Sequence, residues 1–113
     1  MPFMFESLEV YRKSIDFTVA IFNTCGEIPD RGVKDQLKRA ALSIPLNLAE
    51  GNGRNTDKEK SQFYKMARGS LFECIPVLEV CLKTAQISES RHKELYEISE
   101  HVGRLINGLI RSI

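Results

Sequence analysis

The sequence predicts an all-α protein, an antiparallel up-down four-helix bundle that completes its burial by assembling with copies of itself. Apolar residues recur every three to four positions in four segments, and no segment alternates as a half-buried strand does. Short connections separate the segments, which favours antiparallel neighbours. The ten residues 40–49 carry no charge, so this part of the second helix needs cover on nearly all sides.

The first helix is predicted to start at Ser7 as its N-cap and to end near Cys25, because Gly26 and Pro29 follow. Its apolar residues form two neighbouring stripes. One stripe is Leu8, Tyr11, Ile15, Phe22 and Cys25, and the one beside it is Val10, Phe17 and Ile21.

The second helix is predicted over 31–50, with an apolar stripe that continues through Pro45. That stripe is Val33, Leu37, Ala41, Ile44 and Leu48. Proline has no N–H, so the carbonyl of Ala41 loses its helical partner and a kink is expected. Glycine and asparagine at 51–53 are predicted to end the helix.

The third helix is predicted to start at a capping box, Thr56 with Glu59, and to reach about Ala85. Gly69 within it suggests a close helix crossing. Its predicted core stripe is Phe63, Ala67, Ser70, Cys74, Val77, Cys81 and Ala85. The fourth helix starts at Ser88 or Ser90 and runs to the end, with a seam of Leu95, Ile98, Val102, Leu105 and Leu109.

The first, second and fourth helices carry more apolar surface than a single bundle seam needs. We interpret the surplus as a subunit interface, in a closed ring or a dimer. The alternative is a wide core stripe in a compact monomer.

Size and composition exclude several classes of protein. The 113 residues, 42% hydrophobic and 27% charged, are those of one globular domain over residues 1–113. No apolar run spans a bilayer and the N-terminus lacks a signal-peptide pattern, so we expect a cytoplasmic protein without a membrane role. Three cysteines and two histidines lack metal-ligand spacing, so we expect neither a metal site nor a cofactor, and we assign the cysteines to the core.

Polar residues interrupt the apolar surface of the second helix at helical spacing: Arg39, Ser43, Asn47 and Glu50. They need partners, and Ser70 and Glu73 on the third helix are the ones expected, with Arg39 pairing to Glu73 and Asn47 to the Ser70 hydroxyl or a backbone group. We interpret the six as a structural polar network that fixes helix register or subunit pairing. The alternative is a binding or catalytic cluster, but no histidine or cysteine joins it, so we predict no enzyme and no catalytic residues.

Positive charge is concentrated in the middle of the chain, where residues 31–68 carry nine basic and four acidic side chains. Basic residues at helical spacing can follow a phosphate backbone, and a nearby aromatic such as Tyr64 could stack on bases. The candidate nucleic-acid-binding residues are Lys34, Lys38, Arg54, Lys58, Lys65 and Arg68. The alternative is an ordinary solvated surface.

Three motifs resemble the bacterial four-helix-bundle family named after proteins encoded in 23S ribosomal RNA intervening sequences. They are Phe5-x-x-Leu8, the run Gln36-Leu-Lys-Arg-Ala-Ala-Leu-Ser-Ile-Pro-Leu-Asn-Leu-Ala-Glu-Gly51, and Phe63-Tyr-Lys-Met-Ala-Arg-Gly-Ser-Leu-x-Glu73. The resemblance implies a ring-like homo-oligomer, a pentamer, without assigned catalysis. Relatives include the accessory variability determinant protein of diversity-generating retroelements, a basic barrel that binds a reverse transcriptase and nucleic acid.

Two functions follow as hypotheses. The first is a homo-oligomeric scaffold that binds RNA or a nucleic-acid-handling protein through the basic residues. The second is a protein–protein interaction module with no nucleic-acid role, which recognises an acidic or helical partner through the same surface.

Overall fold

Four α-helices account for most of residues 3–113, the part of the chain that this computed structural model describes. They are α1 (Glu9–Cys25), α2 (Arg31–Asn52), α3 (Asp57–Lys83) and α4 (Glu89–Arg111), and a single 3-10 turn, Met4–Ser7, precedes α1. The same residues contain no strand. None of these helices combines the length with the apolar content that crossing a bilayer requires.

The helices occupy the corners of a square in chain order, because α1 packs on α2, α2 on α3, α3 on α4, and α4 back on α1. Side-chain contacts establish the antiparallel directions. Along α2, Ser43 meets Ser70 and Gly51 meets Tyr64 of α3, so the two helices run in opposite directions. Along α3, Arg68 meets Asn107 and Leu71 meets Gly103 of α4, with the same result. Arg91 at the start of α4 forms an ion pair with Glu27, just after α1. The predicted antiparallel four-helix bundle is therefore confirmed for the single chain.

Side-chain caps start three of the four helices. The Thr56 hydroxyl accepts the amide of Glu59 (3.1 Å), and the Ser88 hydroxyl accepts the amide of Arg91 (3.1 Å). Asp30 caps α2 in the same way. The predicted Ser7 cap is wrong, because the Ser7 hydroxyl donates to the carbonyl of Met4 inside the 3-10 turn and α1 starts two residues later.

Two helix ends differ from the prediction. α2 continues through Gly51 to Asn52, because Gly51 lies against α3 within the helix and does not terminate it. α3 stops at Lys83, because Ala85 adopts the left-handed conformation (φ 59°) and the amide of Gln86 returns to the carbonyl of Cys81 at 2.8 Å. This pattern is a Schellman-type C-terminus, with alanine where glycine is usual.

The core uses the apolar stripes of α1 and α3 only in part. In α1 it takes the second stripe together with Cys25 of the first, while Phe22 is 41% exposed. Ser14 and Thr18 are buried beside that second stripe. Burial of these hydroxyls is possible because each one donates to a carbonyl of its own helix. In α3 the buried residues are Tyr64, Leu71 and Leu78 in place of their predicted neighbours Phe63, Ser70 and Val77, and Ala85, after the helix end, is exposed.

Pro45 lies inside an unbroken α2, as predicted, and the carbonyl that it leaves without a helical partner is satisfied by α1. The hydroxyl of Thr18 is 3.1 Å from the oxygen of Ala41 and 2.8 Å from that of Ser14. Thr18 is only 7% exposed and Ala41 is fully buried, so water cannot replace this donor. A side chain of α1 therefore makes the proline tolerable in α2.

Thr18→Val should lower the free energy of unfolding by about 1–3 kcal/mol, because it keeps the side-chain shape and leaves the buried Ala41 carbonyl unpaired. Thr24→Val is the matched control, because the Thr24 hydroxyl donates only to Ala20 four residues earlier (2.8 Å). The Ala20 carbonyl keeps the amide of residue 24 as its donor, so the control should be nearly neutral. Urea unfolding followed by circular dichroism measures both.

Pro45→Ala supplies the missing amide and completes a double-mutant cycle. In that background Thr18→Val should cost at least about 1 kcal/mol less than in the parent chain. Equal costs in the two backgrounds would show that the Thr18 hydroxyl does not compensate for the proline.

Candidate functional site

Two serines join α2 and α3 at the centre of their contact. The hydroxyls of Ser43 and Ser70 hydrogen-bond to each other, and Ser70 also donates to the carbonyl of Met66 (3.1 Å). Asn47 donates to the carbonyl of Ser43 (2.8 Å) in its own helix. The partner of Ser70 is therefore Ser43, and of the two partners expected for Asn47 the structure shows the backbone group and not the Ser70 hydroxyl.

The charged members of the predicted network lie outside this hydrogen-bonded cluster. Arg39 and Glu73 are both exposed, and within residues 3–113 the salt bridges involve neither. Glu50 forms its ion pair with Arg54, at the C-terminal end of α2. The predicted Arg39–Glu73 pair is thus not formed among the described residues, where both side chains are exposed to solvent. A pairing between subunits stays a prediction.

Exposed apolar side chains flank the serine pair on the outer surface of α2 and α3. We call this surface the α2–α3 face, and its members are Arg39, Leu42, Leu46, Glu50, Met66, Gly69, Glu73 and Val80. Leu46 is 59% exposed, Met66 53% and Val80 51%. The predicted surplus is present on α2 and, through Val19 and Phe22, on α1. α3 also carries exposed apolar side chains, which the sequence did not predict. On α4 the predicted apolar seam packs within the bundle, and Tyr96 is the large apolar side chain left exposed.

Gly69 lies in the middle of α3 on the α2–α3 face, and the chain itself does not require a glycine there. A Cβ atom at this position would have nothing within 4 Å of it. The predicted close crossing is therefore absent within the chain. Glycine in a helix interior costs about 0.5–1 kcal/mol relative to alanine.

The six candidate basic residues do not form one patch on the single chain. Lys34 and Lys38 lie in the first half of α2, and the Lys38 ammonium is 5.4 Å from the centroid of the Phe22 ring. Arg54 follows the end of α2, where its guanidinium covers the Phe63 ring at 4.6 Å. At 1.5 Å per residue, the two groups are separated by roughly 27 Å along the helix.

The remaining candidates lie on α3, on the side that faces away from α1. Lys58 and Lys65 are exposed, while Arg68 donates to the side-chain oxygen of Asn107 on α4 (2.9 Å). Tyr64 cannot stack on a base as predicted, because it is 2% exposed and belongs to the core, where burial raises the pKa of its phenol.

An open groove of about 290 Å³ lies between α3 and α4. We call it the α3–α4 groove; the lining residues that matter below are Phe72, Tyr96, Glu100, Gly103, Arg104 and Asn107. The Phe72 and Tyr96 rings are 58% and 43% exposed. The sequence patterns did not reveal this site, because its α4 residues lie outside the basic segment of residues 31–68. The one indication in the sequence is that Phe72 falls on the same helical stripe as Lys58 and Lys65.

The three thiols are buried in the core, as predicted, and none forms a disulfide. Burial raises the pKa of the Cys74 thiol to about 12, so it stays protonated at neutral pH. A thiolate is the nucleophilic and metal-binding form of cysteine. These cysteines therefore act as small apolar residues. In the described part of the chain, no three histidine, cysteine or acidic side chains cluster closely enough to hold a metal ion.

Comparison with known proteins places this arrangement in a family. Residues 6–108 match the profile of the family described as 23S rRNA-intervening sequence protein. The chain is also similar to a crystal structure from Bacteroides thetaiotaomicron, described as a protein of unknown function from the S23 ribosomal protein family. The two are 21% identical with a TM-score of 0.83, over 89% of this chain and 97% of the other. No curated protein sequence matches.

Proposed function

The chain belongs to the 23S rRNA-intervening sequence protein family, and from that premise we propose that it is a non-enzymatic, self-assembling scaffold that binds RNA or a ribonucleoprotein. The observation that carries the proposal is the α2–α3 face, an apolar surface that the bundle leaves uncovered. It holds Leu46 and Met66, each more than half exposed, on either side of the Ser43–Ser70 pair. A second copy of the chain is the proposed cover.

Apolar cover favours assembly, because each square ångström of apolar surface removed from water contributes about 25 cal/mol. Gly69 supports the same assignment. A helix that retains a glycine without any neighbour in its own chain leaves room for the backbone of another helix to approach closely. The α2–α3 face thus combines apolar area with a site of close approach.

Charged side chains on the α2–α3 face would fix the relative orientation of two copies. Ser43 and Ser70 are directly opposed, so Arg39, one turn before Ser43, and Glu73, one turn after Ser70, lie at the same level of the antiparallel pair. Each is exposed and free of an ion pair within the described chain. In an assembly, Arg39 of one copy would meet Glu73 of the next. If the α2 side of one copy meets the α3 side of the next, the contact is heterologous, and such contacts form a ring when the rotation between copies closes. We propose the pentamer that the family resemblance implies.

Ring assembly would also multiply the basic side chains. A single subunit offers Lys58 and Lys65 as exposed cations on α3, where Arg68 is half-buried, and the other candidates are spread along α2 and just after it. Repetition around a ring brings several weak phosphate contacts onto one ligand, and linked contacts raise avidity without any new interaction. The scaffold therefore supplies the affinity that one chain lacks.

RNA binding by this surface should weaken steeply with salt, and removing two cations should flatten the dependence. Lys58→Gln with Lys65→Gln should lower the slope of log K against log salt by about two per bound subunit, since each lysine that contacts a phosphate contributes about one. Lys83→Gln with Lys93→Gln is the matched control, because it removes the same charge from exposed positions outside the candidate set. Filter binding of single-stranded RNA measures all three proteins.

The proposal predicts that the control keeps the parent slope. Undetectable binding by the parent protein at low salt, or equal losses in both double variants, would reject RNA as the ligand of these residues.

A second function, a protein-interaction module with no nucleic-acid role, is favoured by one observation. Lys38, Arg54 and Arg68 are each engaged by a neighbouring side chain of the same molecule, which leaves them less available to phosphate. Co-purification before and after nuclease treatment separates the two functions, because a protein partner would survive the nuclease.

A further inference from the structure

We propose that the α3–α4 groove binds an unpaired nucleobase, with the adjoining phosphates held by Arg104 and by the exposed cations beyond one end of the groove. The inference rests on the proposed function and names the part of the RNA that is recognised and the residues that recognise it. It assigns a role to Phe72, Tyr96, Glu100 and Arg104.

The groove offers aromatic surface that the fold does not use. Phe72 and Tyr96 line it from opposite helices and remain largely exposed. Gly103 lies opposite Leu71 in the lining of the groove, and a Cβ atom there would already come within 3.4 Å of the Leu71 side chain. The missing side chain keeps the floor of the groove low. Aromatic rings that flank such a slot are the usual platform for bases of single-stranded nucleic acids.

The polar side chains of the groove match a base and its phosphates. Glu100 presents a carboxylate that can accept a hydrogen bond from an exocyclic amino group of a base. Arg104 is exposed on the α4 wall. Arg68 reaches the same wall through its 2.9 Å hydrogen bond to Asn107, three residues further along α4.

The basic character continues beyond the groove in one direction. Since α3 and α4 are antiparallel and Arg68 faces Asn107, the first half of α3 runs beside the last turns of α4. Lys58 and Lys65 on α3 and Arg111 on α4 therefore lie beyond the arginine end of the groove, all of them exposed. A strand whose base enters the groove can lay its following phosphates along these cations. An apolar peptide would gain nothing from this charge, so RNA fits the groove better.

The experiment uses the full chain, a ten-nucleotide oligocytidylate, and the same strand with abasic residues. Fluorescence anisotropy gives both dissociation constants across a range of salt concentrations. Phe72→Ala and Tyr96→Ala should each raise the Kd for oligocytidylate by roughly 5- to 100-fold, and the abasic strand should bind the parent protein with a similar loss. The two variants should bind the abasic strand as the parent does. Arg104→Gln should lower the salt slope by about one.

Phe3→Ala is the matched control, because Phe3 is an exposed aromatic residue (69%) outside the groove, and it should change neither constant. Thermal melting checks that every variant is folded. If the parent binds oligocytidylate while the aromatic variants and the abasic strand lose nothing, the groove is not the base site and the proposed RNA function stands. If the parent binds neither strand at any salt concentration, both proposals fail.

Discussion

Leu46→Glu should convert the assembled protein into folded monomers. Leu46 is 59% exposed in the chain, so its replacement removes little from the bundle and the helix content should stay unchanged. In an assembly the same position lies inside the apolar contact, where an unpaired carboxylate is strongly unfavourable. We expect the dissociation constant of each interface to rise at least about 100-fold, equivalent to roughly 2.7 kcal/mol.

Tyr96→Glu is the matched control for this substitution. It introduces the same charge in place of an exposed apolar side chain (43%) on α4, the helix diagonal to α2 in the bundle. Size-exclusion chromatography with light scattering should give a monomer for Leu46→Glu and the parent mass for Tyr96→Glu. Equal behaviour of the two variants would show that assembly does not use the α2–α3 face.

Gly51→Ala should destabilise the bundle more than any other single methyl addition to a glycine of this chain. A Cβ atom at Gly51 would lie 2.8 Å from Cε1 of Tyr64 and 2.9 Å from Cβ of Phe63. Tyr64 is 2% exposed and cannot swing away, and the Cβ of Phe63 moves only with its backbone. The two helices must therefore separate, at a cost of about 2–3 kcal/mol. The melting temperature should fall by roughly 10 °C.

Gly108→Ala is the comparison that isolates the clash from the change in helix propensity. The nearest atom to its Cβ would be Nη2 of Arg111 at 4.0 Å, the far end of a flexible side chain. Alanine there should raise the free energy of unfolding by about 0.5–1 kcal/mol. Differential scanning calorimetry of both variants measures the contrast. A Gly51→Ala protein as stable as the parent would mean that α2 and α3 are not held this close.

Periodicity and capping residues were sufficient to predict the four helices and most of their starts, because those signals are local. Local sequence signals do not decide which of the two apolar stripes of α1 is buried. Both stripes have helical spacing, and only the packing of α1 on α2 and α4 selects the one containing Val10, Phe17 and Ile21. The burial of Thr18 was also not predicted, because its hydroxyl donates a hydrogen bond to a carbonyl of another helix.

Prediction of the candidate site was correspondingly uneven. The polar spacing on α2 correctly indicated that α3 supplies the partner of that stripe, and Ser70 is that partner. The charges Arg39 and Glu73 were assigned to the interior because apolar residues surround them in sequence. In the chain those apolar neighbours are themselves exposed, and sequence patterns cannot separate burial by the chain from burial by another copy. Predicting the α3–α4 groove would have required knowing how α4 aligns with α3, and the sequence pattern of α3 does not contain that information.

Size-exclusion chromatography with multi-angle light scattering on the unmodified protein at micromolar concentration tests the central claim most directly. If other copies cover the α2–α3 face, the mass will be a multiple of the 12.9 kDa chain, five-fold for the proposed ring, and will persist on dilution through the micromolar range. A well-behaved species of 12.9 kDa would contradict the claim, because Leu42, Leu46 and Met66 would then stay in water.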